Sequence, residues 1–300
     1  MLARLLQRVI LGSVVMALAW LWLFWSSPQW LAWAGFWVIP AVMASLFALE
    51  FALASWVNQQ DSTPKAGFRP CFRAWRRELL IALKVFGWWQ AFQSRAVPDQ
   101  WSPAAPGQRG VILIHGFVCN RGVWTPWLKV LRAQGRVCVA LDLEPVFAPI
   151  EHHVGKIDAA VTRVTAATGC TPVLVCHSMG GLVARAWMRA AGPGADARVA
   201  HVITLGTPHH GTWLGRFSRV ANGVQMRHRG AWARQLLADE PVSRAARFTC
   251  WYSNCDNIVF PASTAMLAGA ENRFARGLAH VELALDPAVM QACLEKIRVI

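Results

Sequence analysis

Residues 173–181 read Val-Leu-Val-Cys-His-Ser-Met-Gly-Gly and pass at once into Leu182-Val183-Ala184-Arg185-Ala186-Trp187. An apolar strand that runs into a helix with no connecting loop forces a sharp backbone turn, and the turn falls on Ser178. Small residues have to flank such a turn, because its strained backbone packs closely on its neighbours. Gly180 and Gly181 meet that need. The geometry lifts one hydroxyl clear of the end of a strand. A serine hydroxyl is a poor nucleophile by itself, so the placement has chemical meaning only with a base and an oxyanion site nearby.

The surrounding chain supplies a setting for that turn. From Gly110 onward, apolar runs at Val111–Ile114, Val137–Leu141, Val173–Cys176, His201–Leu205 and Phe248–Tyr252 predict strands. Helical patterns fall between and after them, near Val123–Ala133, Val154–Thr168, Leu182–Ala191 and Pro287–Ile297. This alternation predicts an α/β domain with a mostly parallel sheet flanked by helices, its site at the carboxyl ends of the strands. His115-Gly116-Phe117, Ser178 and Asp256 each follow a predicted strand, so they can converge on one crevice.

The first third of the chain is different in kind. Eleven of the 17 Trp residues lie at or before Trp101, against a single Tyr in the whole sequence. Arg4 and Arg8 precede an apolar run from Val9 to Trp25; Ser26-Ser27-Pro28-Gln29 interrupts it, and a second run follows from Trp30 to Leu49. Each run can cross a hydrocarbon core of ~30 Å, the first only barely. Trp20, Trp22, Trp25, Trp30 and Trp33 cluster around the break as an aromatic belt would. Pro40 predicts a kink in the second helix. Residues 1–60 therefore read as a transmembrane helical hairpin. A cleaved signal peptide ending near Ala17-Leu18-Ala19 is the rival, and it leaves the second run unexplained. The basic flanks, Arg4 and Arg8 before and Lys65, Arg69, Arg73, Arg76 and Arg77 after, place both ends on the cytoplasmic side of a bacterial-type inner membrane.

Residues 61–109 read as a basic amphipathic helix and a linker. Phe72, Trp75, Leu79, Ala82, Phe86 and Trp89 recur in steps of three and four, with Arg73, Arg76, Arg77 and Lys84 off that stripe. Such a helix can lie on a bilayer or dock its stripe on the globular domain, and periodicity does not separate the two. Pro98, Pro103 and Pro106 mark the linker.

A net charge of +14 suits nucleic acid or an anionic membrane surface. No nucleic-acid-binding motif accompanies it, so the bilayer is the expected partner. The eight cysteines are scattered without metal-site spacing, and no cofactor or metal site is expected. Cys138 and Cys176 fall inside predicted strands as small hydrophobes, while Cys250 and Cys255 are close enough in sequence to pair in an oxidising compartment.

Three motifs in order carry a family resemblance: Val111-Ile112-Leu113-Ile114-His115-Gly116-Phe117, Cys176-His177-Ser178-Met179-Gly180-Gly181, and Thr204-Leu205-Gly206-Thr207-Pro208-His209-His210-Gly211-Thr212. From about Gly110 to the C-terminus the chain resembles the α/β-hydrolase superfamily, and within it bacterial triacylglycerol lipases and esterases. The resemblance implies an α/β-hydrolase catalytic domain over 110–300. The stretch 207–247, inserted between two core strands, can form a helical cap over the site or an ordinary pair of surface helices, and the sequence does not separate the two. It departs from the pattern at Cys176, where the usual residue is Gly.

The implied roles follow residue by residue. Ser178 is the nucleophile. The triad order in this fold is serine, acid, histidine, which makes Asp256 the acid and His280 the base. His280 is expected just before the final helix; Asp142 and Glu144, after another strand, are rival acids. An imidazole pKa near ~6.5 lets histidine take the serine proton and return it to a leaving group. The oxyanion donors are the backbone amides of Phe117 and Met179. His115, His177, His209 and His210 read as scaffolding or pocket lining. The expected activity is that of a membrane-anchored serine esterase or lipase on lipid-type carboxylic esters, through an acyl-enzyme. An acyltransferase or thioesterase with the same triad, or a catalytically silent membrane-bound interaction module, shares the same motifs.

Overall fold

The computed structural model describes residues 1–103, 105 and 107–300. Pro106, the last of the linker prolines, lies outside the described residues. Six strands, β1 (Val111–Ile114), β2 (Cys138–Ala140), β3 (Val173–His177), β4 (His201–Leu205), β5 (Phe248–Tyr252) and β6 (Glu271–Phe274), form one sheet in the order β2-β1-β3-β4-β5-β6. All neighbours are parallel. Five strands fall where the apolar runs predict them. The sixth, Glu-Asn-Arg-Phe, lacks an apolar run because it is a half-exposed edge, where Glu271 meets Lys296, Arg273 and the Thr249 hydroxyl.

The helices are α1 (Leu2–Leu23), α2 (Gln29–Asn58), α3 (Phe68–Lys84), α4 (Gln90–Phe92), α5 (Thr125–Ala133), α6 (Val154–Thr168), α7 (Met179–Ala190), α8 (Ala195–Arg198), α9 (Ala221–Gln225), α10 (Ala231–Ala238), α11 (His280–Leu285) and α12 (Pro287–Val299). Alternate strand residues face opposite ways, and both faces of this sheet are covered, which is why its strands are apolar throughout. Ile112, Ile114, Leu174, Cys176 and Val202 pack with α6 and α7 through Ile157, Val161, Leu182 and Trp187. Val111, Leu113, Val173, Val175 and Ile203 pack with α5 and α12 through Trp127, Leu128, Val289 and Ile297.

Val85 joins that second layer from outside the sheet domain, fully buried, with Phe86 and Trp89 against it. The linker is pinned as well: Gln100 pairs with Cys138 of β2, and Asp99 holds Arg121 at 2.6 Å. Helix α3 therefore docks on the globular domain. Its buried residues are Ala74, Glu78 and Ala82, a face rotated from the predicted stripe, and Phe72 is exposed.

Helices α1 and α2 are long and apolar enough to cross a membrane. At about 1.5 Å per residue they span roughly 33 and 45 Å. They pack as a hairpin. Trp20 turns onto α2, donating its indole N–H to the Leu31 carbonyl at 2.8 Å, while Trp22, Trp25, Trp30 and Trp33 stay exposed. Helix α2 continues through Pro40. Both helices reach the rest of the chain: from α1 the Leu2 amide donates to Glu144 and Gln7 to the Ala91 carbonyl of α4, and from α2 Asn58 Oδ1 accepts the Ala262 N–H at 2.9 Å.

Candidate active site

Ser178 sits between β3 and α7 with φ 54° and ψ −127°. That is a left-handed backbone for a non-glycine residue, which persists only where its surroundings hold it. Two hydrogen bonds do so: the Ser178 N–H donates to the Leu205 carbonyl at 2.9 Å, and the Thr207 hydroxyl donates to the Ser178 carbonyl at 2.8 Å. The helix opens at Met179, three residues earlier than its apolar pattern predicts, so the Met179 N–H is a helix-terminal donor without an intrahelical acceptor.

The loop after β1 lies directly over the serine. A methyl group at Gly116 would stand 2.7 Å from Ser178 Cβ, so only glycine permits the approach. His115 secures this loop in a defined tautomer. Its Nδ1–H donates to the Gly116 carbonyl at 2.8 Å, and its Nε2 accepts the Leu143 N–H at 3.0 Å. Burial lowers its pKa, which keeps the ring neutral. Val118, the second residue after Gly116, has φ 52°, a strained value for a β-branched residue that nothing in the sequence announces.

His280 precedes the final helix, α12, and itself opens the short helix α11, which Asp286 separates from α12. Its Nδ1 lies 2.9 Å from Asp256 Oδ2, both side chains being buried. Glycine is required beside them. Gly206 has φ +59°, and a methyl there would stand 3.0 Å from Asp256 Oδ2 and 3.2 Å from His280 Nδ1. Burial by itself would lower the His280 pKa; the charge and hydrogen bond of Asp256, then the charges of Glu78 and Glu50, outweigh it and raise the pKa above 6.5. His177 packs its ring 4.6 Å from that of His280 and donates from Nε2 to the His280 carbonyl at 3.1 Å. The rival acids lie on other partners: Asp142 accepts from the Arg121 amide, and Glu144 from the amide of Leu2.

Ser178 lines a cavity of about 230 Å³ with Phe117, Leu214, Met226, Ile258 and Val259. The first part of the 207–247 segment covers it. The second part lies on the surface: α10 buries Ala233 and Leu236 and exposes most of its other residues. Behind it, Arg185 is fully buried on Glu240 at 2.6 Å and donates to the His209 carbonyl at 3.1 Å, an arrangement with no sequence signature. A larger cavity of about 570 Å³, between the end of α2 and Trp213, includes none of Ser178, Asp256 and His280. Among the described residues no cluster of His, Cys, Asp and Glu could hold a metal ion.

A family model described as the alpha/beta hydrolase family matches residues 111–293, more than half of the chain. This chain belongs to the alpha/beta hydrolase family. The hydrolase is similar in structure to a Bacillus licheniformis lipase in mature form, at 16% identity and TM-score 0.57, over 65% of this chain and 95% of that one. It is also similar to Aspergillus fumigatus lipase B, at 17% identity and TM-score 0.56, over 69% and 56% of the two chains. A metagenomic carboxyl esterase matches at 12% identity and TM-score 0.52, over 65% and 77%. At these identities the likeness is one of fold. No curated protein matches the hydrolase in sequence.

Proposed function

We propose that this hydrolase is a membrane-anchored serine esterase or lipase that cleaves lipid-type carboxylic esters through a Ser178-His280-Asp256 triad. The observation that carries the reading is the buried Asp256–His280 pair, 2.9 Å apart, whose imidazole packs on His177, the residue before a serine held at positive φ. In the mechanism, Ser178 Oγ attacks the ester carbonyl while His280 Nε2 takes its proton. The carbonyl π pair moves onto oxygen, where the amides of Phe117 and Met179 receive the oxyanion; each such donor is worth about 3–4 kcal/mol. Collapse expels the alcohol, which leaves with the proton from His280, and Ser178 keeps the acyl group. A water molecule, deprotonated by His280, then releases the acid by the same steps in reverse. Asp256 holds Nδ1–H and offsets the imidazolium charge throughout.

The apolar cavity beside Ser178 suits the acyl chain. The comparison proteins named as lipases and a carboxyl esterase support the same substrate class. Helices α1 and α2 support anchoring, with both ends and the catalytic domain on the cytoplasmic side. The test is trapping with a fluorophosphonate probe in detergent. Labelling of the wild type and none of Ser178→Ala is expected, together with turnover of p-nitrophenyl esters. An unlabelled wild type would overturn the reading. For topology, a C-terminal reporter active only in the periplasm would overturn the cytoplasmic placement.

A further inference from the structure

The segment that carries His280 is clamped by residues outside the family-matched region. Helix α3 brings two consecutive charged residues to it. Glu78 accepts the Val281 N–H through Oε1 at 2.8 Å and the Glu282 N–H through Oε2 at 3.0 Å. These are donors of the first turn of α11, which have no intrahelical acceptor and favour a negative charge. Arg77 donates from Nη2 to the Gly277 carbonyl at 2.9 Å and pairs through Nε with Glu282 Oε1 at 2.8 Å. A second hold comes from α2. Glu50 Oε2 accepts from Asn257 Nδ2 at 2.7 Å, and Asn257 Oδ1 accepts the His280 N–H at 3.2 Å. Glu78 itself is 2% exposed. A carboxyl so buried is costly to ionise without partners. A helix-packing role alone would be met by an apolar residue, as Ala74 and Ala82 meet it one turn away on either side.

We propose that Glu78 is a positioning residue for the candidate base: it fixes the first turn of α11 and, with Asp256, supplies the negative charge that offsets the imidazolium of His280. This rests on the triad reading above. It makes α3, which lies outside the hydrolase fold proper, a working part of the site. The charged groups that bear on the pair are His280 and Glu282 of α11, Asp256 after β5, Arg77 of α3 itself, and Glu50 of α2. Burial pushes the Glu78 pKa up to about 7, with the Val281 amide, the charge of His280 and the Glu282 amide pulling it back.

The experiment uses the full chain in lipid nanodiscs, comparing wild type, Glu78→Gln and Ser178→Ala. Hydrolysis of p-nitrophenyl butyrate and the rate of fluorophosphonate labelling are followed from about pH 5 to pH 9. Glu78→Gln is expected to lower kcat about tenfold with KM within about twofold of wild type. The acid limb of its labelling rate is expected to move down by at least about half a pH unit, since removing a nearby negative charge lowers the His280 pKa. A helix-packing defect alone would not move that limb. A glutamine variant with wild-type kcat and limb overturns the role of Glu78 while leaving the triad standing. An unlabelled wild type overturns the triad reading instead. Should Glu78→Gln fail to fold, Glu78→Asp decides: its shortened carboxylate keeps the charge but cannot hold both amides, so a lowered kcat with KM near wild type agrees with the proposal, and wild-type kcat overturns it.

Discussion

Asp256 divides its carboxylate between two tasks: Oδ2 lies 2.9 Å from His280 Nδ1, while Oδ1 accepts the N–H groups of Ile258 and Val259 at 2.9 and 2.7 Å. Asp256→Asn is therefore expected to keep the fold and lose the activity. The amide oxygen can stay with the two loop amides, which turns the NH2 group toward Nδ1. That nitrogen must then accept, so the imidazole carries its proton on Nε2, the atom that has to take the serine proton. A kcat loss of about 10³–10⁴-fold is expected, with Tm within about 3 °C of wild type. A variant within about tenfold of wild-type kcat would remove Asp256 from the mechanism.

Glu78 predicts a stability signature separate from its effect on rate. Its pKa rises on folding from 4.5 to about 7. Between those values the folded state binds more protons than the unfolded state, so stability falls as pH rises. The penalty is complete above about pH 7 and is on the order of 3 kcal/mol. Glutamine does not titrate. The difference Tm(Glu78→Gln) minus Tm(wild type), read by calorimetry, is therefore expected to increase from about pH 4.5 to pH 7 and then level off. A difference that is flat or falls over that window would show that the carboxyl is not raised.

The two layers of this fold were legible to different degrees in the sequence, for physical reasons. Val111–Ile114, His201–Leu205 and Phe248–Tyr252 emerge at their expected bounds because strands covered on both faces must be apolar throughout. The turn at Ser178 was legible because a strained backbone demands small neighbours. By contrast, β6 is an edge that salt bridges sustain, and it carries no hydrophobic signal. The buried face of α3 departs from its aromatic stripe for a related reason. Periodicity ranks Phe72 and Trp75 above Ala74 and Glu78, yet Glu78 goes inside because unpaired amides of α11 await it. The clamp on His280 joins residues some 200 positions apart, a separation at which local patterns are silent.

The cysteines give a similar lesson and a prediction. Cys255 meets Cys71 of α3, their sulfurs 3.8 Å apart, and not its sequence neighbour Cys250, which lies by His209. The two sulfurs are within hydrogen-bonding distance. The hydrogen bond from Cys255 lowers the pKa of half-buried Cys71 to about 7, against the opposing effect of burial, and Cys255 is raised. Iodoacetamide at pH 7 is expected to modify Cys71 first, ahead of the partly exposed Cys170, as read by peptide mass spectrometry. Cys255→Ala should slow that reaction, because it removes the hydrogen-bond donor that stabilises the Cys71 thiolate. Equal rates at Cys71 and Cys170 would count against a lowered Cys71 pKa.

The cavity beside Ser178 sets an expectation for chain length. Leu214 and Met226 from the covering segment face Ile258 and Val259 across about 230 Å³, small for a site that would take a long acyl chain whole. Leu214→Trp fills part of that space without touching Ser178, Asp256 or His280. An apolar pocket discriminates by volume at roughly 1–3 kcal/mol per methylene. The variant should therefore lose kcat/KM on p-nitrophenyl dodecanoate by about tenfold or more, while p-nitrophenyl butyrate stays within about threefold. Equal losses on both esters would mean that the acyl chain lies elsewhere, the larger cavity between α2 and Trp213 being the nearest alternative. Trp56 of α2 meets Trp213 there, ring centroids 6.2 Å apart, so a chain rerouted along that path would run beside the membrane helix. Trp213→Ala tests this directly: it should leave the wild-type length preference unchanged if the acyl group occupies the Ser178 cavity, and shift it if the substrate passes by Trp56.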